Sequence, residues 1–254
     1  MKLYLRTAMT LLLGLAPSAL GVDRLDAAEL RVLVGGAMTG IMQDLGSQFE
    51  RASGHKLSFY FGATPQLIQQ VTSATPFDLA VVPVELFQDA AARAKFVSGP
   101  TTDIARVGYG VAVKAGAPKP DISSPDALKQ TLLKAKSITF LPESAAGSYV
   151  LKVFDRLGIG EAMKAKTQAK TTPAQIPEAI ANGEAELGTF LTTVLLGPGV
   201  ELVGPFPADL QQDLVFTAGV AADSKDVEAT RALLNFLKTP EAVAKIRAKG
   251  MTPG

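Results

Sequence analysis

The sequence predicts an α/β protein that folds as two lobes. Short apolar runs typical of strands alternate with segments of helical periodicity, and this alternation starts again after about residue 107. A strand-helix-strand rhythm implies parallel pairing with right-handed crossovers. A third observation concerns the junctions, because four strand-like runs break into small or hydroxylated residues where a helix should begin. These junctions are residues 35–39, 62–65, 144–148 and 188–193.

Junctions of this kind are suited to binding anions. The first N–H groups of a helix have no acceptor within the helix, and the helix dipole places partial positive charge at the same end. Small side chains leave these groups open to a ligand. Four such junctions, divided between two halves of similar length, predict a cleft that closes on a small anion.

The first 28 residues have the pattern of a secretory signal. Lys2 and Arg6 precede an apolar stretch over residues 7–22, which Pro17 interrupts. The stretch is too short and too broken to span a membrane comfortably. We place the cleavage between about residues 21 and 28 and expect an exported, periplasmic protein.

The mature chain is close to electrically neutral. Removing the signal segment takes away three of 25 basic and two of 24 acidic residues, which leaves 22 of each. This balance argues against nucleic-acid binding, which depends on a basic face, and no polybasic patch for a membrane surface is present. The chain has no cysteine, so disulfides, thiolate metal sites and a cysteine nucleophile are excluded.

The first half of the mature chain contains three strand-helix units. The first helix carries Ile41, Leu45 and Phe49 at a spacing of four and ends near Gly54. Pro65 occupies the first turn of the second helix, where its missing N–H costs nothing. The strands are predicted over residues 30–34, 56–61 and 79–84, and the third helix over residues 86–94.

The second half repeats the alternation. Ser124 and Thr239 are predicted helix caps, Asp226 is a third, and Gly158 ends the helix that follows the junction at 144–148. Strands are predicted over residues 108–113, 137–141, 187–191 and 215–222. The C-terminal helices have no third lobe to join, so we expect them to pack on the first lobe. The first lobe then comprises residues 29–107 and 216–254, and the second lobe residues 108–215.

Four motifs give the chain a family resemblance over essentially its whole mature length. In order, they are Gly36-Ala37-Met38-Thr39 with Gln43-Asp44-Leu45, Phe61-Gly62-Ala63-Thr64 with Asp78-Leu79, Ala145-Ala146-Gly147-Ser148-Tyr149, and Gly183-Glu184-Ala185 with Leu187-Gly188. The chain resembles type II periplasmic solute-binding proteins, nearest to the molybdate-binding family. The resemblance implies the periplasmic binding protein-like II fold, in which each lobe is a mainly parallel sheet flanked by helices and two hinge crossovers join the lobes.

The resemblance also implies a set of ligand-binding residues. They are Ala37, Met38, Thr39, Ala63, Thr64, Ser144, Ala146, Gly147, Ser148 and Leu191. The family's two ligand-binding serines fall on Ala37 and on or near Ala63, and its ligand-binding tyrosine falls on Leu191. A hydrogen bond to a charged group contributes about 1.5–3 kcal/mol, so three missing donors weaken the case for a tetrahedral oxyanion.

Catalytic patterns are absent from the sequence. His55 is the single histidine, and neither a Gly-x-Ser-x-Gly elbow nor a phosphate-binding loop occurs. We therefore expect a protein that is not an enzyme and holds no cofactor or metal. The family resemblance implies a monomeric receptor that captures a molybdate- or tungstate-like oxyanion and delivers it to an ABC permease of the inner membrane. Two alternatives stay open: a small organic carboxylate as ligand, and a receptor that feeds a sensor protein.

Overall fold

The computed structural model of the protein describes residues 27–99 and 101–254. The predicted signal segment lies outside this part of the chain, apart from its last two residues. The described residues form two β-sheets with helices packed on them. No helix among them is both long and apolar enough to cross a membrane. Two sheets flanked by helices confirm the predicted α/β class.

The first sheet has six strands in the order β11-β4-β10-β3-β1-β2. Strand β1 pairs in parallel with β2 and with β3, whereas β10 is antiparallel to both β3 and β4. The short β11 is antiparallel to β4 at the sheet edge. The strands are β1 (Glu29–Gly35), β2 (Lys56–Gly62), β3 (Leu79–Pro83), β4 (Thr102–Val107), β10 (Leu214–Val220) and β11 (Thr252–Pro253).

The second sheet has five strands in the order β7-β6-β8-β5-β9. Strand β6 pairs in parallel with β7 and β8, and β5 is antiparallel to β8 and β9. The strands are β5 (Tyr109–Lys114), β6 (Ile138–Phe140), β7 (Thr167–Ala169), β8 (Leu187–Leu191) and β9 (Val200–Pro205). The sequence pattern predicts no strand at β7 or at β9.

Both sheets are mixed, and this differs from the mainly parallel sheets that we expected. The reason lies in the passage between sheets. Strand β4 leaves the first sheet toward the second and β10 returns from it, so β10 must run against both of its neighbours. Strands β5 and β9 have the same relation in the second sheet. Parallel pairing is kept where helices connect the strands, at β1, β2 and β3 and at β6, β7 and β8.

Nine α-helices lie among the described residues. They are α1 (Thr39–Ser53), α2 (Thr64–Thr72), α3 (Ala90–Arg93), α4 (Pro125–Lys134), α5 (Ala145–Arg156), α6 (Gly160–Lys164), α7 (Gln175–Ala181), α8 (Val227–Phe236) and α9 (Pro240–Ala248). The predicted caps at Ser124 and Thr239 are confirmed, since their hydroxyls accept from Ala127 N and Ala242 N. Asp226 precedes α8 but its side chain makes no cap hydrogen bond. The helix expected over 86–94 is divided into a 3₁₀ turn and α3, because Asp89 caps a new start.

The C-terminal helices pack with α1 against one face of the first sheet. Phe49 of α1 lies 5.6 Å from Phe236 of α8, measured between ring centroids. Asp44 of α1 lies 3.1 Å from the Lys249 ammonium just beyond α9, and this contact holds the pKa of the Asp44 carboxyl below its usual range. Helices α2 and α3 cover the other face. Side chains along β1 point alternately to the two faces, so Leu33 packs with α2 and α3, whereas Val32 and Val34 pack on the face that α1 covers.

The chain crosses between the sheets twice, and the two crossings lie side by side. Gly108 alone separates β4 from β5, and residues 206–213 lead back to β10. The Gln211 side chain joins the crossings, because Tyr109 N donates to Oε1 at 2.8 Å and Nε2 donates to Tyr109 O at 2.9 Å. The Tyr109 ring is buried, and this burial raises the pKa of its hydroxyl. These contacts define a hinge region next to the cleft.

Candidate functional site

The carboxyl ends of β1, β2, β6 and β8 face one another across a cleft between the two sheets. In open α/β sheets this end of the strands is where ligands bind. Three of the four predicted junctions lead directly into helices here: Gly36–Met38 forms a 3₁₀ turn before α1, and α2 and α5 follow β2 and β6. The fourth prediction is wrong, because residues 192–195 after β8 form turns rather than a helix.

A small inner cavity of about 30 Å³ lies where the three helix starts meet. This volume accommodates roughly one water molecule. The cavity receives residues from both lobes and includes Ala37, Ala63, Thr64, Ser144, Ala146 and Leu191 of the predicted set. The complete lining is Gly35, Gly36, Ala37, Gly62, Ala63, Thr64, Pro83, Leu141, Ser144, Ala146, Pro173, Phe190, Leu191, Leu214 and Phe216.

Four residues of the predicted set lie outside this lining. Met38 is fully buried in the core of the first lobe, because its place in the 3₁₀ turn directs it beneath α1. Ser148 is exposed on α5. Gly147 is buried behind the start of α5, where an added Cβ would lie 1.6 Å from the carbonyl oxygen of Leu141. Thr39 lines a neighbouring space instead, and its hydroxyl donates to Gly36 O at 2.7 Å.

That neighbouring space, which we call the outer chamber, has a volume of about 580 Å³. It shares Gly36, Ala37, Gly62, Ala63 and Pro173 with the inner cavity. The predicted set of ligand-binding residues includes three of its wall residues, Ala37, Thr39 and Ala63. Most of the others lie beside the positions that the resemblance assigns to the ligand: at the end of β2, at the start of α2, around the start of α7 and in the turns after β8. Its lining is Gly36, Ala37, Thr39, Gly40, Tyr60, Phe61, Gly62, Ala63, Gln66, Thr171, Thr172, Pro173, Ala174, Pro177, Thr193, Val194 and Leu196.

Direct contacts join the two lobes across the cleft. The backbone N–H of Ala145, at the start of α5, donates to the Thr64 hydroxyl at 3.1 Å. Gly36 faces Pro173, and a Cβ added at Gly36 would lie 2.8 Å from Pro173 Cγ. The lobes therefore meet through small residues, and their approach leaves little room for larger side chains.

The hydroxyl groups at the helix starts differ in what they can offer a ligand. Ser144 Oγ accepts from Gly147 N and donates to Leu141 O, both at 2.9 Å, so this side chain is fully engaged in its own turn. The Thr39 hydroxyl likewise donates a hydrogen bond to Gly36 O, so its proton is already engaged. Thr64 accepts from Ala145, and none of the hydrogen bonds within the described chain uses its hydroxyl proton. Thr64 is therefore the side chain with a donor to spare.

The electrostatics of the cleft depend on dipoles rather than on charged side chains. None of the described residues that line the inner cavity or the outer chamber carries a charged side chain. The N–H groups of three helix starts supply partial positive charge. No group of three or more His, Asp or Glu suited to a metal ion occurs in the described ranges. The site can therefore hold an anion by hydrogen bonds from the backbone.

Two side chains of the outer chamber have unsatisfied polar atoms. Gln66 Oε1 and Thr193 Oγ1 are shielded from solvent and have no hydrogen-bond partner within the described part of the chain. A buried polar atom without a partner costs about 1–3 kcal/mol. Both residues contribute to the wall of the chamber, but these two oxygens are closed to a water-sized probe and so do not face the space itself.

Two lobes around a cleft at the strand ends, with helix starts directed into it, define a solute-binding protein. The chain belongs to the family of bacterial extracellular solute-binding proteins, whose sequence profile matches residues 30–252. The resemblance inferred from the four motifs is thereby confirmed.

Individual relatives differ in what their names describe. The chain is 32% identical to an aconitate isomerase of a Pseudomonas species, over 88% of this chain and 87% of that protein. It is 29% identical to a molybdate-binding protein of Azotobacter vinelandii, over 88% of this chain and 90% of that protein. The solved structure of the periplasmic molybdate-binding protein of Azotobacter vinelandii matches with a TM-score of 0.73 at 19% identity, covering 88% of this chain and 98% of that one. At this identity the structural likeness shows the fold alone.

Proposed function

We propose that the protein is a periplasmic receptor that captures a small anion between its lobes and delivers it to an ABC permease of the inner membrane. The observation that carries this proposal is the convergence of three helix starts, at α1, α2 and α5, on one cavity between the lobes. Backbone N–H groups substitute there for the hydration of an anion, and closure of the lobes about the two crossings excludes water. The lobe boundaries predicted from the sequence, 29–107 with 216–254 and 108–215, are part of this proposal.

A molybdate- or tungstate-like oxyanion is the first candidate ligand. The relatives named as molybdate-binding proteins favour it, since they align over most of the chain. Thr64 and the backbone groups at the helix starts would serve as donors. Pro65 has no N–H, so α2 offers one donor fewer than an ordinary helix start.

A small organic carboxylate is the second candidate, favoured by a separate observation. Ala37, Ala63 and Leu191 present methyl and isobutyl groups to the inner cavity. Such groups suit a carbon skeleton better than an oxyanion. The 32% identical aconitate isomerase is a relative whose name refers to an organic acid.

We propose binding without turnover. An isomerase that moves a proton needs a titratable group within reach of the substrate. Tyr60 is the single titratable side chain in the lining of the two spaces, within the described residues. His55 lies elsewhere, where its Nδ1 accepts from Ala28 N. Incubation with aconitate, followed by chromatography of the isomers, tests this part, and conversion above the uncatalysed rate would contradict it.

Calorimetric titration of the mature protein tests the binding proposal. The panel contains molybdate, tungstate, sulfate, malate and aconitate, and we expect at least one of these anions to bind. Replacing Thr64 by Val removes one charge-assisted hydrogen bond and should weaken that binding about tenfold or more. The matched control is Thr72→Val on the same helix, whose hydroxyl donates to Ile68 O away from the cleft. Absence of heat with every anion of the panel would overturn the proposal.

A further inference from the structure

We propose that the outer chamber is a second subsite, which receives the uncharged, hydroxylated body of an organic anion whose carboxylate lies at the helix starts. This inference rests on the proposed anion site and names the ligand class of that site. It assigns to Tyr60, Gln66 and Thr172 a role in specificity that the four sequence motifs do not suggest.

The sizes of the two spaces are the first argument. The inner cavity measures about 30 Å³, whereas the outer chamber measures about 580 Å³ and shares five wall residues with it. Binding sites for small organic molecules commonly measure about 300–1,000 Å³. A bare oxyanion at the helix starts would leave the larger space without a function in recognition. A ligand with a carbon body would extend from the first space into the second.

The chemistry of the chamber wall defines what that body can be. Tyr60, Gln66, Thr171 and Thr172 present hydroxyl and amide groups, next to apolar surface from Phe61 and Leu196. None of the described wall residues is charged, so a second carboxylate or an ammonium group in the chamber would be desolvated without a countercharge. The wall therefore suits groups that are polar and neutral.

The wall residues can form hydrogen bonds with hydroxyl groups. Gln66 Oε1 and Thr193 Oγ1 are closed to a water-sized probe, so these two oxygens do not face a ligand in this arrangement. The other polar groups of the wall include the Tyr60 and Thr172 hydroxyls, which donate and accept, and the Gln66 amide nitrogen, which donates. A ligand hydroxyl can both accept from these groups and donate to them, whereas molybdate and an aliphatic chain cannot donate. Hydroxyl groups on the ligand body thus match this wall.

Gluconate and hexanoate are suitable probes, because they share one carboxylate and an equal number of carbons and differ in their hydroxyl groups. Isothermal titration of the mature protein should show gluconate binding at least about tenfold more tightly than hexanoate. Gln66→Leu, which keeps the approximate volume and removes the amide, should reduce gluconate affinity about tenfold. Gln69→Leu is the matched control, since Gln69 is exposed on the same helix and does not line the chamber.

The outcomes separate this inference from the proposed function. Equal gluconate affinities of the Gln66 and Gln69 variants would overturn the subsite, as would binding of molybdate or aconitate without binding of gluconate; either result leaves the anion receptor intact. Failure of every anion, including gluconate, overturns the receptor itself. Thermal melting checks that the variants fold. If Gln66→Leu does not fold, Thr172→Val replaces it, and a loss of gluconate affinity is again expected.

Discussion

At the scale of single residues, Gly147 shows how closely the start of α5 approaches the preceding loop. A Cβ at this position would lie 1.6 Å from the carbonyl oxygen and 2.5 Å from the carbonyl carbon of Leu141, and 2.8 Å from Pro142 Cα. All three atoms belong to the backbone, so no side-chain rotation relieves the overlap. The absence of a side chain at Gly147 allows β6 to pass into α5 within one tight turn.

We expect Gly147→Ala to destabilise the protein by about 3 kcal/mol or more, because the backbone must shift to admit the methyl group. Urea denaturation followed by circular dichroism measures the change. Gly40→Ala is the control: Gly40 lies within α1 with nothing within 4 Å of an added Cβ, and alanine there should add about 0.5–1 kcal/mol. Equal stabilities of the two variants would show that the close approach at Gly147 does not exist.

Single residues also show what the sequence could and could not predict about the site. Ala37, Ala63 and Ala146 lie in the cavity lining, as the sequence predicts, because the size of a side chain follows directly from the residue type. Met38 belongs to the same predicted set, yet the structure buries it in the core. One peptide unit separates Met38 from Ala37, and the direction of each depends on the 3₁₀ turn, whose dihedral angles the sequence pattern does not specify.

At the scale of elements, the start of α5 combines a structural cap with a position in the cleft. Ser144 caps the helix through Gly147 N, and Ser124 caps α4 through Ala127 N in the same way. Only Ser144 lines the inner cavity. The two serines therefore form a matched pair in which capping and site position can be separated.

We expect Ser124→Ala to lower the stability by about 1 kcal/mol, because it removes one cap hydrogen bond. Ser144→Ala should lower it by about 1–2 kcal/mol, because it also removes the hydrogen bond to Leu141 O. Ser144→Ala should in addition weaken anion binding several-fold, since the loosened first turn no longer holds its N–H groups in place. Denaturation and calorimetry on the same preparations measure both effects. Equal affinities of the two variants would indicate that the cap of α5 does not position the site.

The sequence predicts the starts of helices correctly where a capping residue or a proline marks them, as at Ser124, Thr239 and Pro65. The prediction failed after β8, where residues 192–195 form turns. Gly197, Pro198 and Gly199 follow within a few residues, and Gly199 has a positive φ of 76°. These residues leave too short a segment for a helix. The short β7 depends on pairing with β6, a long-range contact that local periodicity does not contain.

At the scale of the whole molecule, the contact between Gly36 and Pro173 limits how far the lobes can close. A methyl group at Gly36 would meet Pro173 Cγ of the other lobe at 2.8 Å. The hinge formed by Gly108 and by Gln211 with Tyr109 lies beside the cleft. A methyl group added at Gly36 would therefore change the relative position of the two lobes more than the packing of either hydrophobic core.

We expect Gly36→Ala to hold the lobes apart. Relieving an overlap of this kind costs about 1–3 kcal/mol in the closed form, which corresponds to roughly five- to 150-fold in ligand affinity. Small-angle X-ray scattering in the presence of ligand should show a larger radius of gyration than for the unmodified protein. Pro173→Ala in the same chain removes Cγ and should restore closure. If affinity is unchanged in Gly36→Ala, closure does not bring these residues together.

The hydrogen bond from Ala145 N to the Thr64 hydroxyl has a consequence for selectivity. Because the Thr64 oxygen accepts from Ala145 N, its remaining hydroxyl proton is left for a group in the cleft. An oxygen of a solute that accepts this proton completes a chain of two hydrogen bonds that runs from one lobe through Thr64 to the solute. An anionic oxygen gains more from this position than a neutral one, since a charge-assisted hydrogen bond is roughly twice as strong as a neutral one. The contact between the lobes therefore favours solutes that accept hydrogen bonds, and anions most among them.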